Sequence, residues 1–296
     1  MRSLSLANWV LNPFQSMGTE QIYDLIGRDS PATGALWLNL GYWKQADDLT
    51  TACEALATLV AETAAMSHDD DVVDCGFGFG DQDIWWALNY APRSIVGLNI
   101  TQSHVMHARQ RVEESGVDDT VDLRVGSATA MPLEAASASV VVALESAFHF
   151  DTREAFFDEA YRVLRPGGRL VIADILPRYE PGSCLRTAKQ RLSWRLTANK
   201  FAIPAANAYP VEHYTTLLKD RGYEQVAVES IRDDVYRPLH AFLRRNPQTM
   251  TRLHPVLRLP ARLAMLLDPD DVFAGLDYVI AQAVKPQATT PPAAPN

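Results

Sequence analysis

What is scarce in this chain narrows its class first. Cysteine occurs only at Cys53, Cys75 and Cys184, and no two stand as Cys-x-x-Cys. That excludes a disulfide framework, argues against a zinc site and suits a reducing compartment. No window approaches 18 unbroken apolar residues, so no membrane-spanning helix is expected. Positive charge is in deficit: 27 Lys and Arg face 36 Asp and Glu, for a net −9. A nucleic-acid partner is therefore not expected, because such binders present net positive surface. The opening MRSLSLANWVLNPF has one early Arg, an apolar stretch broken by Asn8 and Asn12, and no small-residue cleavage site. It reads as part of the mature protein, and the expected location is cytoplasmic. No internal repeat is present.

What remains is an ordinary globular composition, 47% hydrophobic over 296 residues. Residues 50–66 have apolar positions spaced by three and four and predict a helix. Val72–Cys75 reads as a buried strand that stops at glycines. A helix over 81–90, a strand over Ser94–Leu98, a helix over Gln102–Ser115 and a strand over Val121–Val125 follow. Ser139–Leu144 is an unbroken apolar run, as a parallel strand shows when both its faces are covered. Arg153–Leu164 is helical and ends at Arg165-Pro166-Gly167-Gly168, where proline and glycine dictate a turn before a strand over Arg169–Ile175. Val211–Arg221 is a helix, and Gln225–Ile231 and Tyr278–Val284 are the last strands. This alternation predicts an α/β, doubly wound, mostly parallel sheet with helices on both faces. Ligands of such sheets sit beyond the carboxyl ends of the strands, where the strand order reverses.

The loop after the first strand is Asp74-Cys75-Gly76-Phe77-Gly78-Phe79-Gly80. A dinucleotide fingerprint would need glycine at position 81, where this chain has Asp81, and no Gly-Lys-Ser/Thr follows to make a P-loop. A cofactor without phosphates fits better. Asp74 either faces an ammonium group or orients the loop through backbone amides.

Val-Val-Asp-x-Gly-x-Gly-x-Gly at the end of a first strand resembles the first motif of class I S-adenosylmethionine-dependent methyltransferases. Four further stretches match in order: Ser94–Thr101, Val125–Leu133, Leu144–Phe150 and Leu164–Gly168. The phrases GLNIT, LESAFHF and LNLGYW are most similar to bacterial small-molecule O-methyltransferases. The resemblance implies a seven-stranded Rossmann-like sheet with helical lid insertions, S-adenosylmethionine as cofactor and no metal. It implies cofactor contacts at Gly76, Gly78 and Gly80, at Asn99, Ile100 and Thr101 on the ribose side, at Ser127 and Ala128 beside adenine, and at Glu145. Asn99 and Ser127 stand where acidic residues are usual. Tyr42, in an aromatic N-terminal segment over 1–49, is the expected lid contact.

Methyl transfer from a sulfonium is an in-line displacement, so alignment does most of the work. A hydroxyl acceptor gains from a base, whereas a carboxylate acceptor is already ionised. His149, after the fourth strand, is the candidate base, and Asp174, at the end of the fifth, is the candidate group to orient it. His104 and His107 are expected to face solvent, and Cys75 to pack. The cofactor core spans 50–176, and residues 177–284 complete the sheet. That part carries two basic insertions, over about 181–211 and 235–267, with eleven Lys and Arg and no acid between Pro181 and Val211 or between Val235 and Leu267. Both are leucine-rich and are expected to cover the acceptor side, with a weak contact to an anionic membrane surface as a further expectation. The tail over 285–296 is expected to be disordered. The expected activity is O-methylation of an amphipathic, largely apolar small molecule, either a fatty-acid-like carboxylate or a hydroxyl of a polyketide, sugar or phenol. Methylation at carbon or nitrogen, and a non-catalytic cofactor-binding protein, are the alternatives.

Overall fold

The computed structural model describes residues 36–252 and 255–287. The expectations for residues 1–35, and for the tail after 287, lie outside the described residues. The strands are β1 (Asp71–Cys75), β2 (Ser94–Asn99), β3 (Val121–Val125), β4 (Ala138–Leu144), β5 (Leu164–Pro177), β6 (Glu224–Ser230) and β7 (Leu276–Val284). They form one sheet in the order β3-β2-β1-β4-β5-β7-β6. Every pair among β1 to β5 is parallel, and β7 runs antiparallel between β5 and β6. The doubly wound, mostly parallel seven-stranded sheet is thus as expected.

The period of two in β4 divides its side chains between two cores. Val140 and Val142 join one cluster, and Val141 and Ala143 join the other. The first cluster is completed by α1 (Leu49–Thr63), α2 (Asp81–Asn89) and α3 (Gln102–Glu114), through Leu56, Trp86 and Val105 among others. The second is completed by α4 (Arg153–Val163) and α6 (Val211–Asp220), through Phe156, Phe157 and Tyr214. Both faces of β4 are covered, which is why its sequence is apolar without alternation. Local signals start the helices. Asp48 Oδ1 accepts from Thr51 N–H at 3.0 Å at the head of α1, and Thr152 Oγ1 accepts from Ala155 N–H at 3.3 Å at the head of α4.

One boundary differs from the sequence reading. The expected turn at Arg165–Gly168 is already part of β5, because Leu164 pairs with Ala138 ahead of a register irregularity. Gly167 N–H also donates to Lys285 O, and Lys285 N–H to Gly168 O, both at 2.8 Å. Proline and glycine marked a bend, and the neighbouring end of the antiparallel β7 captured that bend into the ladder.

The basic stretches are largely helical, as α5 (Cys184–Lys200), α7 (Arg232–Arg245) and α8 (Pro255–Ala264), followed by a short α9 (Pro269–Val272). Their charges are answered by acids just outside the two acid-free windows. Arg186 pairs with Glu180, Lys189 with Asp271 and Arg237 with Asp270.

Candidate active site

β1 lies between β2 and β4, and this is where the strand order reverses. At that point the carboxyl ends of four strands enclose a cavity of about 230 Å³. Gly76 to Phe79 come from the loop after β1, Asn99 to Thr101 from the end of β2, Gly126 to Thr129 from the end of β3, and Leu144 to Ser146 from the end of β4. His149, Phe150 and Asp151 continue the wall beyond β4, and Leu38 and Asn39 close it from the N-terminal side.

Gly76 has φ +93, and a Cβ there would lie 2.4 Å from Ser146 Cβ. Ser146 cannot step aside cheaply, because its hydroxyl donates to Cys75 O at 2.5 Å. Gly78 has φ +60, with a built Cβ 3.1 Å from Leu38. Gly80 differs from these two. It heads α2 outside the cavity lining, and a Cβ there would meet Ala108 at 3.2 Å, so it serves packing between helices.

Glu145 is a non-glycine residue at φ +50, a conformation that side chains adopt only under outside constraint. The constraint is visible. Its Oε1 accepts both Leu40 N–H at 2.7 Å and the Tyr278 hydroxyl at 2.6 Å. The carboxyl therefore fastens the N-terminal segment to the end of β4, and the residue lines the cavity. Burial pushes the Glu145 pKa up to about 7, against the two hydrogen bonds, which favour the ionised form. With a folded pKa above the unfolded one, its contribution to stability is fully present below about 4.5 and is lost as pH rises through about 7. Glu145→Gln keeps an acceptor at Oε1 and does not titrate. Melting measured on the free protein should show the variant gaining on the wild type between pH 5 and pH 8, and a constant difference would refute this assignment.

Asn99 Oδ1 accepts from Thr101 N–H at 3.0 Å, and its Nδ2 lies 3.5 Å from Gly78 O, so this amide ties the glycine loop to the head of α3. Ser127 Oγ and Thr129 Oγ1 are 2.9 Å apart beside Ala128. Ile100 remains 57% exposed and offers an apolar face at the rim. Asp81 does line the cavity, but its charge is met by Arg111 at 2.6 Å and by Leu36 N–H at 3.0 Å.

Several expected residues stand elsewhere. Asp74 is fully buried but does not line the cavity. It accepts from Gln82 Nε2 at 2.8 Å and sits beside Asp83. Burial pushes Asp74 up to about 7, and burial beside Asp74 raises Asp83 well above the usual range, so the pair keeps a proton that both oxygen sets can share. Tyr42 is half-buried against the core and outside the lining; its backbone N–H docks on Ala52 O at 2.8 Å, and Leu38 and Asn39 make the lid contact instead. His104, expected in solvent, is buried at 4% exposure, lines the cavity and packs its ring 4.7 Å from that of Phe79. His107 is exposed, as expected.

Asp174, expected to orient His149, has another partner. Arg153 Nε donates to its Oδ2 at 2.8 Å, with both side chains at 0% exposure, and Tyr214 OH donates to the same oxygen at 3.3 Å. A carboxylate buried inside β5 demands a cation, and the first residue of α4 supplies one. Removing either partner would leave a bare buried charge, at about 3–5 kcal/mol. His149 is held differently. The carbonyl of Phe201, at the end of α5, accepts a hydrogen bond from its ring. Burial and then the nearby Arg153 charge hold the His149 pKa down to about 4, so the imidazole is neutral across the working range. No residue of the two basic insertions lines the cavity among the described residues; the Phe201 carbonyl and the Asn207 side chain tie the first of them to its wall.

These features fit a nucleoside carrying a charged amino-acid tail. Two glycines let backbone approach closely, amide and hydroxyl groups cluster at the ends of β2 and β3, apolar faces flank them, and the Glu145 carboxyl on the wall suits an ammonium. Among the described residues no group of three or more His, Cys, Asp and Glu is placed to hold a metal ion.

Comparison with known proteins agrees. Residues 73–172 match the family model described as "Methyltransferase domain". The chain is 40% identical over 278 residues to erythromycin 3''-O-methyltransferase of Saccharopolyspora erythraea, covering 90% of this chain and 89% of that one. It is 36% identical over 147 residues to 27-O-demethylrifamycin SV methyltransferase of Amycolatopsis mediterranei, covering 48% of this chain and 53% of that one. Among solved structures, the [4+2]-cyclase SpnF superposes with a TM-score of 0.71 at 20% identity, over 93% of this chain and 98% of that one. Geranyl diphosphate C-methyltransferase from Streptomyces coelicolor A3(2) gives 0.67 at 17% identity, over 90% and 97%. At such identities the structures bear on the fold alone, whereas the sequence relatives bear on the chemistry. The chain belongs to the class I S-adenosylmethionine-dependent methyltransferases and methylates oxygen on a small molecule.

Proposed function

We propose that the acceptor is a hydroxyl of an uncharged, sugar- or polyketide-type metabolite, and that His149 accepts its proton. The observation that carries this reading is an imidazole on the cavity wall beyond the end of β4, which burial keeps neutral and so able to take up a proton. A carboxylate acceptor would need no base but would want a cation, and no Lys or Arg lines the cavity among the described residues, whereas Asp81, Glu145 and Asp151 do. The fatty-acid alternative is disfavoured on that ground. The similarity to a macrolide-sugar O-methyltransferase over 90% of the chain supports the same side.

The bound cofactor supplies an electrophilic methyl group on a sulfonium. Gly76 and Gly78 admit backbone close to it, Asn99, Ile100 and Thr101 take the ribose side, Ser127 and Ala128 the base, and Glu145 the ammonium. His149 then holds the acceptor hydroxyl and receives its proton. A base of low pKa suffices here, because an oxygen that is gaining a methyl group becomes far more acidic than an imidazolium. Incubation with S-adenosylmethionine and a panel of a glycosylated macrolide with free sugar hydroxyls, a medium-chain fatty acid and a small amine tests the reading. The expected product is a methyl ether on the glycoside; a methyl ester or an N-methyl product as the main outcome would overturn it.

A further inference from the structure

We propose that Asn207 is a positioning residue for His149. The proposal rests on the reading of His149 as the proton acceptor and extends it to a residue far away in sequence.

Asn207 ends a short 3-10 turn (Ala205–Asn207) and is fully buried. Its amide is saturated by three bonds, all to one neighbourhood. Oδ1 accepts from Arg153 N–H at 3.0 Å. Nδ2 donates to Phe148 O at 3.1 Å and to Phe150 O at 2.8 Å. One carbonyl belongs to the peptide that enters His149 and the other to the peptide that leaves Phe150, so a single side chain ties down the chain on both sides of the residue. An amide suits this place because it carries both an accepting oxygen and two donor hydrogens on one rigid plane. The clamp is itself anchored. The Arg153 guanidinium donates to Asn207 O, to Asp174, and to Ile175 O at 2.7 Å. Asp174, expected from the sequence to orient His149, therefore braces the turn carrying the clamp through its ion pair with Arg153.

The geometry explains why His149 needs this. It sits at the end of a single 3-10 turn (Ala147–His149), which has no helix behind it to set its direction. Phe201 O holds its ring, and Asn207 holds the chain on either side of it. Freeing the chain on both sides would let the ring shift, and a displacement of about 1 Å can cost about 100-fold in rate.

Asn207→Asp tests the proposal. The carboxylate keeps an oxygen for Arg153 N–H and the shape of the amide, but it turns two donors into an acceptor facing two carbonyls, so folding of the variant is first checked by its melting curve. The expected result is a fall in kcat of about tenfold to 100-fold, with the KM for the acceptor and the affinity for S-adenosylhomocysteine changed by less than about twofold. The added negative charge alone would raise the basicity of His149, so a loss of rate reports orientation. In the His149→Ala background the same substitution should cost less than about a further twofold, because the two residues act as one unit. Losses that multiply independently would overturn the proposal and leave His149 as the base. An unchanged rate in His149→Ala would overturn the base assignment and the proposal with it. A second variant, Asn207→Ser, is read by NMR titration of the His149 ring in the free protein. Its midpoint should move up from about 4 as water reaches the loosened ring, and an unmoved midpoint would overturn the proposal.

Discussion

Gly76→Ala is expected to weaken binding of S-adenosylhomocysteine by at least about 100-fold, roughly 2.7 kcal/mol. Two costs combine at this position. At φ +93 an alanine is strained, by about 1–2 kcal/mol on the general cost of left-handed backbone for L-residues. Its methyl group would also lie 2.4 Å from Ser146 Cβ and 2.8 Å from Ser146 Oγ, closer than real contacts allow. Ser146 is buried and bound to Cys75 O, so relief must come from moving the end of β1 or of β4, the two strands that frame the cavity. Gly116→Ala isolates the first cost. Gly116 has φ +67, but a Cβ there meets nothing within 4 Å. That variant should lower the melting temperature and bind S-adenosylhomocysteine as the wild type does. Calorimetry showing near-native affinity for Gly76→Ala would mean that the glycine loop does not cradle the cofactor.

Much of this architecture was legible in the sequence, for a physical reason. Strand and helix signals such as Ser139–Leu144 or Gln102–Ser115 come from local periodicity, and a parallel sheet follows once they alternate. The strand ends then fix where a ligand must sit, so Gly76, Gly78, Asn99, Ile100, Thr101, Ser127, Ala128, Glu145 and His149 all line the cavity. The sequence was silent wherever a role depends on which distant partner arrives. Asp174 lies inside β5, which runs on to Pro177, and its counter-ion comes from the head of α4 and not from His149. Asn207 and the Phe201 carbonyl reach His149 from the far side of α5, and no spacing rule announces them. His104 could have been found. It stands four residues before the buried Ala108 and beside the buried Val105, on the inward face of α3, and its polarity alone suggested solvent. Tyr42 was chosen for its ring, yet its backbone pairs with α1, and the quieter Leu38 and Asn39 reach the cavity.

The electrostatic asymmetry read from the sequence changes meaning in the fold. Two acid-free, basic windows are expected from the sequence to cover the acceptor side. In the structure several of those cations are neutralised by Glu180, Asp270 and Asp271, and the cavity wall itself carries carboxylates and no cation among the described residues. An anionic acceptor would therefore find no counter-ion on the described wall, whereas a neutral hydroxyl needs none. The arginine-rich helices contribute through one backbone carbonyl at Phe201, which sets the direction of an imidazole.

His149→Ala should lower kcat for a hydroxyl acceptor by about 100-fold, within the range for loss of a general base, while leaving the affinity for S-adenosylhomocysteine unchanged. The split follows from geometry: His149 lies beyond the end of β4, on the wall away from the ends of β2 and β3 that carry Asn99 and Ser127. The pH profile gives the sharper discrimination. An ordinary histidine base loses activity as pH falls through about 6.5. Burial and the Arg153 charge hold His149 near 4, so the neutral, accepting form persists well below neutrality. The wild-type enzyme should keep its kcat down to about pH 5, with the acid limb appearing only as His149 begins to take up a proton. In His149→Ala that limb should vanish together with most of the rate. A wild-type limb near 6.5 would mean that the ring is open to water during turnover, and an Ala variant as fast as the wild type would mean that the acceptor reaches the methyl group already ionised. The first result would overturn the buried, low-pKa form of the base, and the second would remove the base from His149 and return the carboxylate acceptors to first place.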